Sequence, residues 1–223
     1  TSYITYKISM KKDDLWFAMA GSIADNYLPE FTNELSKLYP ELWKKDISSA
    51  FQALYETDFG KIIQMLAFAL KDRTSNVVNM TQFLISVDSP RDVFIENEKN
   101  SKILKRYSQV YKVYLKLLEN AKNVARSSRK VIFFHYGGEI SMSADLSNEL
   151  SYRFPWKIII VAYIKGVYAN ISIRGKIDVR KITLEAISNL EGATGGGHKF
   201  ATGAKVKVDD LPKFREYFER AVD

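Results

Sequence analysis

Between Gly192 and Val206 the chain runs GATGGGHKFATGAKV. Three consecutive glycines, Gly195, Gly196 and Gly197, lead into His198, and Thr202-Gly203 follows within the same stretch. Glycines without Cβ atoms reach positive φ and let a ligand approach the backbone. Successive N–H groups in such a turn can form a concave nest for an anion. A histidine on that turn can donate a hydrogen bond to a phosphate oxygen or take part in proton transfer. A flexible hairpin loop with an incidental surface histidine is the alternative, and the flanking residues bear on which reading holds.

Upstream, YANISIRG (168–175) alternates with a period of two, as a half-buried strand does, and Arg174 stands at its end beside Lys176. VIFF (131–134) and KIIIVAY (157–163) read as buried strands, and Lys165-Gly166 marks a tight hairpin. The pattern predicts helices over Ser143–Arg153 and Ile182–Leu190, the second running directly into the glycine stretch. AKVKV (204–208) leaves it as a strand, and a final helix starts at Asp209-Asp210-Leu211-Pro212. An arginine at a strand end, in one small α/β unit with a Gly-Gly-Gly-His turn, makes a phosphate clamp. The guanidinium offers bidentate contacts and the glycines offer N–H donors.

Before that unit lies a long amphipathic helix. Ile103, Tyr107, Val110, Tyr114, Leu117, Ala121 and Val124 recur at three and four residues. The net charge of +7 is concentrated there: residues 99–130 hold ten basic side chains and one acidic, Glu119. Residues 1–98 hold 10 basic and 14 acidic side chains. The basic segment is either a polyanion-facing surface or a solvated helix face. Its tyrosines either stack on bases or pack.

The first part of the chain reads as mostly helical. Residues 2–10 fit a short strand or a first helix, and 33–70 carry helical spacing around Pro40. Residues 71–79, KDRTSNVVN, read as a connection. Leu15 to Ile23 form an apolar helix opened by Asp13-Asp14 and closed by Gly21-Ser22-Ile23-Ala24-Asp25. Asp25 is then either a metal-binding carboxylate or a cap.

The chain has no cysteine, which excludes disulfides and thiolate metal sites and fits a reducing, cytoplasmic setting. No apolar run approaches the ~20 residues needed to span a bilayer. The start, TSYITYKISMKK, has neither a signal-peptide pattern nor an initiator methionine, as though cut from a longer polypeptide.

The pairing of ISIRGKIDV with GATGGGHKFATGAKV resembles the DHH-associated domain of the DHH phosphoesterases, and GSIAD at 21–25 resembles the last metal motif of their N-terminal DHH domain. The wording GATGGGHKFATGA is most similar to the archaeal RecJ-like branch. The resemblance implies an α/β chain in three parts. These are the C-terminal, mostly helical remnant of a DHH domain (1–98), a basic connector helix (99–129) and a small mixed-sheet DHH-associated domain (130–223).

It implies a manganese- or magnesium-dependent single-strand exonuclease or oligonucleotide phosphodiesterase of DNA repair or replication. Asp25 would be the catalytic metal ligand. Arg174, Gly195, Gly196, Gly197, His198, Thr202 and Gly203 would hold the substrate phosphate. The partners implied are single-stranded DNA or RNA, short oligonucleotides, a replication or repair protein and a second copy of the chain, without a membrane.

The family's upstream Asp-x-Asp and Asp-His-His motifs are absent, and neither histidine, His135 or His198, follows an aspartate. One carboxylate cannot hold two metals, so this chain alone is expected not to build the centre. It is expected to be a fragment, a split gene product, or an inactive relative that binds nucleic acid or a replication complex.

Overall fold

The computed structural model describes residues 1–44 and 46–222. Two compact units divide the chain, Thr1–Lys112 and Val113–Asp223.

The first unit is helical. It contains α1 (Ser2–Ser9), α2 (Leu15–Ala24), α3 (Thr32–Leu38), α4 (Ala50–Glu56), α5 (Asp58–Ala69) and α6 (Thr74–Ile85), and α7 (Ser101–Ser127) begins in it. Residues 2–9, open between strand and helix on sequence, are helical. Helix α2 is apolar nearly all round, and Leu15, Trp16, Met19 and Ile23 are buried. With Leu35, Ala53, Phe59, Ile62 and Met65 they form the core.

Thr57 separates α4 from α5. Its hydroxyl donates to the Ala53 carbonyl at 2.6 Å and accepts from the Gly60 N–H at 2.9 Å, so one side chain closes one helix and caps the next. One sequence expectation is corrected: 71–79 is not a connection throughout, because α6 starts at Thr74. Met80 and Phe83 supply its buried face, and its polar first turn faces outward. Polarity alone therefore misread a solvent-facing helical turn as a loop.

Helix α7 is the long amphipathic helix. Within the first unit Tyr107 stacks on Tyr111 with ring centroids 5.3 Å apart, and Phe68 packs against both. Burial pushes the Tyr107 hydroxyl up to about 12. These tyrosines pack against the protein.

The second unit is a five-stranded sheet in the order β1-β2-β3-β5-β4. Its strands are β1 (Val131–Gly137), β2 (Ile158–Lys165), β3 (Tyr168–Arg174), β4 (Thr194–His198) and β5 (Ala201–Lys207). β1 and β2 are parallel and the remaining pairs antiparallel. The interior strand β2 is buried from Ile158 to Tyr163, which explains its unbroken apolar run.

Three helices clothe the sheet: α8 (Ser143–Arg153), α9 (Val179–Ile187) and α10 (Leu211–Val222). Ile158, Ile160, Ile171, Ile173, Ala204 and Val206 face one core with Val179, Ala186, Phe214 and Phe218, so α9 and α10 cover that side. Helix α8 packs on β2 and β3 from the opposite side.

Hydrogen bonds to β1, α7 and β3 seat α8. The Met142 N–H, at its N-terminus, donates to the Tyr136 hydroxyl oxygen of β1 at 2.5 Å. Buried Glu149 accepts from the Tyr114 hydroxyl at 2.5 Å and from Arg153 Nε at 2.8 Å. The Ser172 hydroxyl of β3 donates to that of Ser143 at 3.0 Å.

Candidate phosphate-binding face

The Gly-Gly-Gly-His segment is not the loop expected from its composition. It is strand β4, an edge strand, and the turn is Lys199-Phe200. Backbone pairing with β5 extends it despite the entropy that glycine loses on ordering.

Two glycines are needed for distinct reasons. Gly197 lies at φ 139°, and a Cβ there would sit 2.7 Å from the Ala201 carbonyl oxygen. A Cβ at Gly195 would meet the Gly203 carbonyl oxygen at 2.9 Å and Ile187 Cδ1 at 3.0 Å, so β4 can lie against α9 only without a side chain.

Pairing register sorts the candidate residues onto two faces, because paired residues share a face and neighbours alternate. Gly196 pairs with Gly203, which pairs with Ser172. His198 pairs with Ala201, which pairs with Arg174. These residues therefore occupy the α8 side. Gly195, Gly197 and Thr202 occupy the α9 side.

Thr202 is 4% exposed, and its hydroxyl lies 2.8 Å from that of Thr183 in α9. The Thr202 hydroxyl is turned into the core, where it fixes β5 to α9.

Helix α8 covers β2 and β3 but leaves the β5–β4 half of its side open. A Cβ placed on Gly196 would find no atom within 4 Å, and His198 is exposed. The result is a shallow floor of backbone at Gly196 and Gly203, next to the row in which His198 and Arg174 flank Ala201.

Arg174 is held in place. Its Nε donates to Asn148 Oδ1 of α8 at 2.7 Å, and its Nη1 donates to the Ile173 carbonyl at 2.8 Å. A cation fixed beside bare backbone is suited to an anionic oxygen, because the ordering cost is met before a ligand arrives. Sequence reading missed Asn148, one polar residue among several in its helix. It also passed over Ser172, although the period-two alternation of β3 already set that residue beside Arg174.

Asp25 belongs to the first unit. It follows α2 as its C-cap, exposed, with its N–H donating to the Gly21 carbonyl at 3.2 Å. Among the described residues no group of three His, Cys, Asp or Glu side chains is arranged to hold a metal ion. The donor set present does not fit a two-metal centre. Among the described residues no helix is long and apolar enough to cross a membrane.

Residues 117–223 match the DHHA1 domain family. Three solved structures are similar in fold. RecJ from Thermus thermophilus in complex with Mg2+ is 12% identical with a TM-score of 0.54, over 92% of this chain and 30% of that one. The DHH domain of a member of the s1p family of ribosomal proteins is 18% identical with a TM-score of 0.53, over 95% of this chain and 50% of that one. The pGpG-specific phosphodiesterase PggH from Vibrio cholerae is 12% identical with a TM-score of 0.54, over 86% of this chain and 66% of that one.

This chain thus spans between about a third and two thirds of those structures. A sequence comparison with curated proteins gives no match. Over residues 117–223 the chain is similar to a DHHA1 domain, and its fold is that of the RecJ-like DHH proteins.

Proposed function

We propose that this chain is the substrate-holding part of a RecJ-like DHH phosphoesterase acting on single-stranded nucleic acid or short oligonucleotides. The observation that carries the reading is the open backbone floor at Gly196 and Gly203, one row from the anchored Arg174 and the exposed His198 on the same face. Arg174 orients a phosphate, the bare backbone admits it closely, and His198 donates to a second oxygen. Gly195 and Gly197 shape the floor from the other side of the sheet, and Thr202 anchors it. In this reading 1–98, 99–129 and 130–223 are the DHH remnant, the connector and the DHH-associated domain. The setting is cytoplasmic, and the protein partners are those of replication or repair.

RecJ from Thermus thermophilus has been solved with Mg2+ and with Mn2+. Asp25 is the residue of this chain that we assign to such an ion, and a two-metal centre would draw its other ligands from outside these residues. One carboxylate does not by itself support a two-metal hydrolytic step. The lone Asp25 also favours a second reading, an inactive relative that binds single strands or a replication partner.

The test is binding and cleavage of a 5′-labelled short single strand, with and without Mn2+, by the wild type and Asp25→Ala. Binding without cleavage is the expected outcome. Mn2+-dependent cleavage lost in Asp25→Ala would show that a second copy completes the centre. Absence of binding would overturn the substrate-holding reading and the single-strand form of the second.

A further inference from the structure

The open side of the sheet continues past the glycine floor. Along β3, Tyr168, Asn170, Ser172 and Arg174 share this side, and Asn170 pairs with Lys205, which pairs with Thr194. Asn170, Lys205 and Thr194 are exposed. Lys205 Nζ lies 4.2 Å from the centroid of the Tyr168 ring, which holds the ammonium group over the sheet. Lys205 makes no ion pair among the described residues, whereas Lys207 on the next row is tied to Glu191 at 2.9 Å. The fold thus fixes one uncompensated cation and neutralises its neighbour.

We infer that Lys205, steadied by Tyr168 and flanked by Asn170 and Thr194, forms a second anion subsite, and that the ligand of this face is an oligonucleotide chain longer than a dinucleotide. This rests on the reading of the Arg174 face as a phosphate site. Arg174 and Asn170 are four residues apart on one strand, a separation of about 13 Å. A single phosphate group does not span that distance, so both cations are engaged only by a chain carrying several phosphates. The glycine floor between them lets the sugar-phosphate backbone pass close to the sheet. Asn170 and Thr194 offer hydrogen bonds beside Lys205.

The experiment measures dissociation constants of 5′-phosphorylated thymidine dinucleotide and hexanucleotide for the wild type, Lys205→Ala and Tyr168→Leu. The wild type should bind the hexanucleotide more tightly than the dinucleotide. Lys205→Ala should weaken the hexanucleotide about fivefold, the range of an exposed ionic contact, and leave the dinucleotide unchanged. Its salt slope for the hexanucleotide should fall by about 0.7, one phosphate contact on a single strand. Tyr168→Leu, which keeps the charge but releases it, should lower hexanucleotide affinity by a smaller factor. Equal loss for both lengths, or no loss in Lys205→Ala, overturns the second subsite. Wild-type protein that binds neither oligomer overturns the phosphate-site reading itself.

Discussion

Arg174 Nε donates to Asn148 Oδ1 at 2.7 Å, so a residue of α8 fixes the cation at the edge of the glycine floor. Removing either partner tests the same geometry. Arg174→Ala should weaken binding of a short oligonucleotide by ~1.5–3 kcal/mol, the range of a hydrogen bond to a charged group. Asn148→Ala should cost about 1 kcal/mol by releasing the guanidinium. The double variant should lose less than the sum, because the two residues act as one unit. Isothermal titration of the four proteins checks this, and strict additivity would remove Asn148 from the site.

Gly197→Ala should destabilise the second unit by about 1–3 kcal/mol, since a Cβ would meet the Ala201 carbonyl at 2.7 Å and φ is 139°. Gly203→Ala should cost less, because its nearest contact is the Ile171 carbonyl oxygen at 3.3 Å, yet it places a methyl on the binding floor. Thermal melts paired with oligonucleotide titrations should show stability lost at one position and affinity at the other.

In α7 the exposed lysines are Lys102, Lys105 and Lys112 in the first unit and Lys116 in the second, while Val110 and Tyr114 are buried. Arg106 is not of this set, because it pairs with Asp72 at 3.3 Å. Changing the four lysines to glutamine should flatten the dependence of log Kd on log salt, by about 0.7 for each lysine that meets a phosphate. Arg106→Gln should leave that slope unchanged. A slope unaltered by the fourfold change would show the lysines to be a solvated face.

Burial pushes the Tyr136 hydroxyl up to about 12, above its ordinary 10.0. A tyrosine held neutral by the fold contributes stability that is complete below pH 10. It is lost as pH rises from 10 towards 12, where the unfolded chain ionises before the folded one does. The second unit should therefore lose stability across that interval, and Tyr136→Phe should lose less. At neutral pH the variant should be weaker by about 1 kcal/mol, because the Met142 N–H loses its acceptor. Denaturant titrations at pH 8 and pH 11 separate the two effects.

The amino-acid pattern alone established much of the second unit. The apolar run of β2, the alternation of β3, the Gly166 hairpin and the long spacing of α7 are local signals with one physical meaning each, and all appear in the structure. The Gly-Gly-Gly-His segment was recognisable but its conformation was not, since composition says that glycines can turn and cannot say that β5 will extend them. Likewise the polar start of α6 looked like a loop until Met80 and Phe83 found a core to face.

What tertiary structure decided was which side of the sheet each residue occupies and which side is covered. Thr202 and Gly203 are neighbours in sequence, yet one is sealed under α9 and the other floors an open face. Asn148 became Arg174's partner only when α8 packed across β3. Chain chemistry supplies the arginine, the glycines and the histidine. Strand register, which turns successive residues to opposite faces, determines that Arg174, His198, Gly196 and Gly203 meet on one of them.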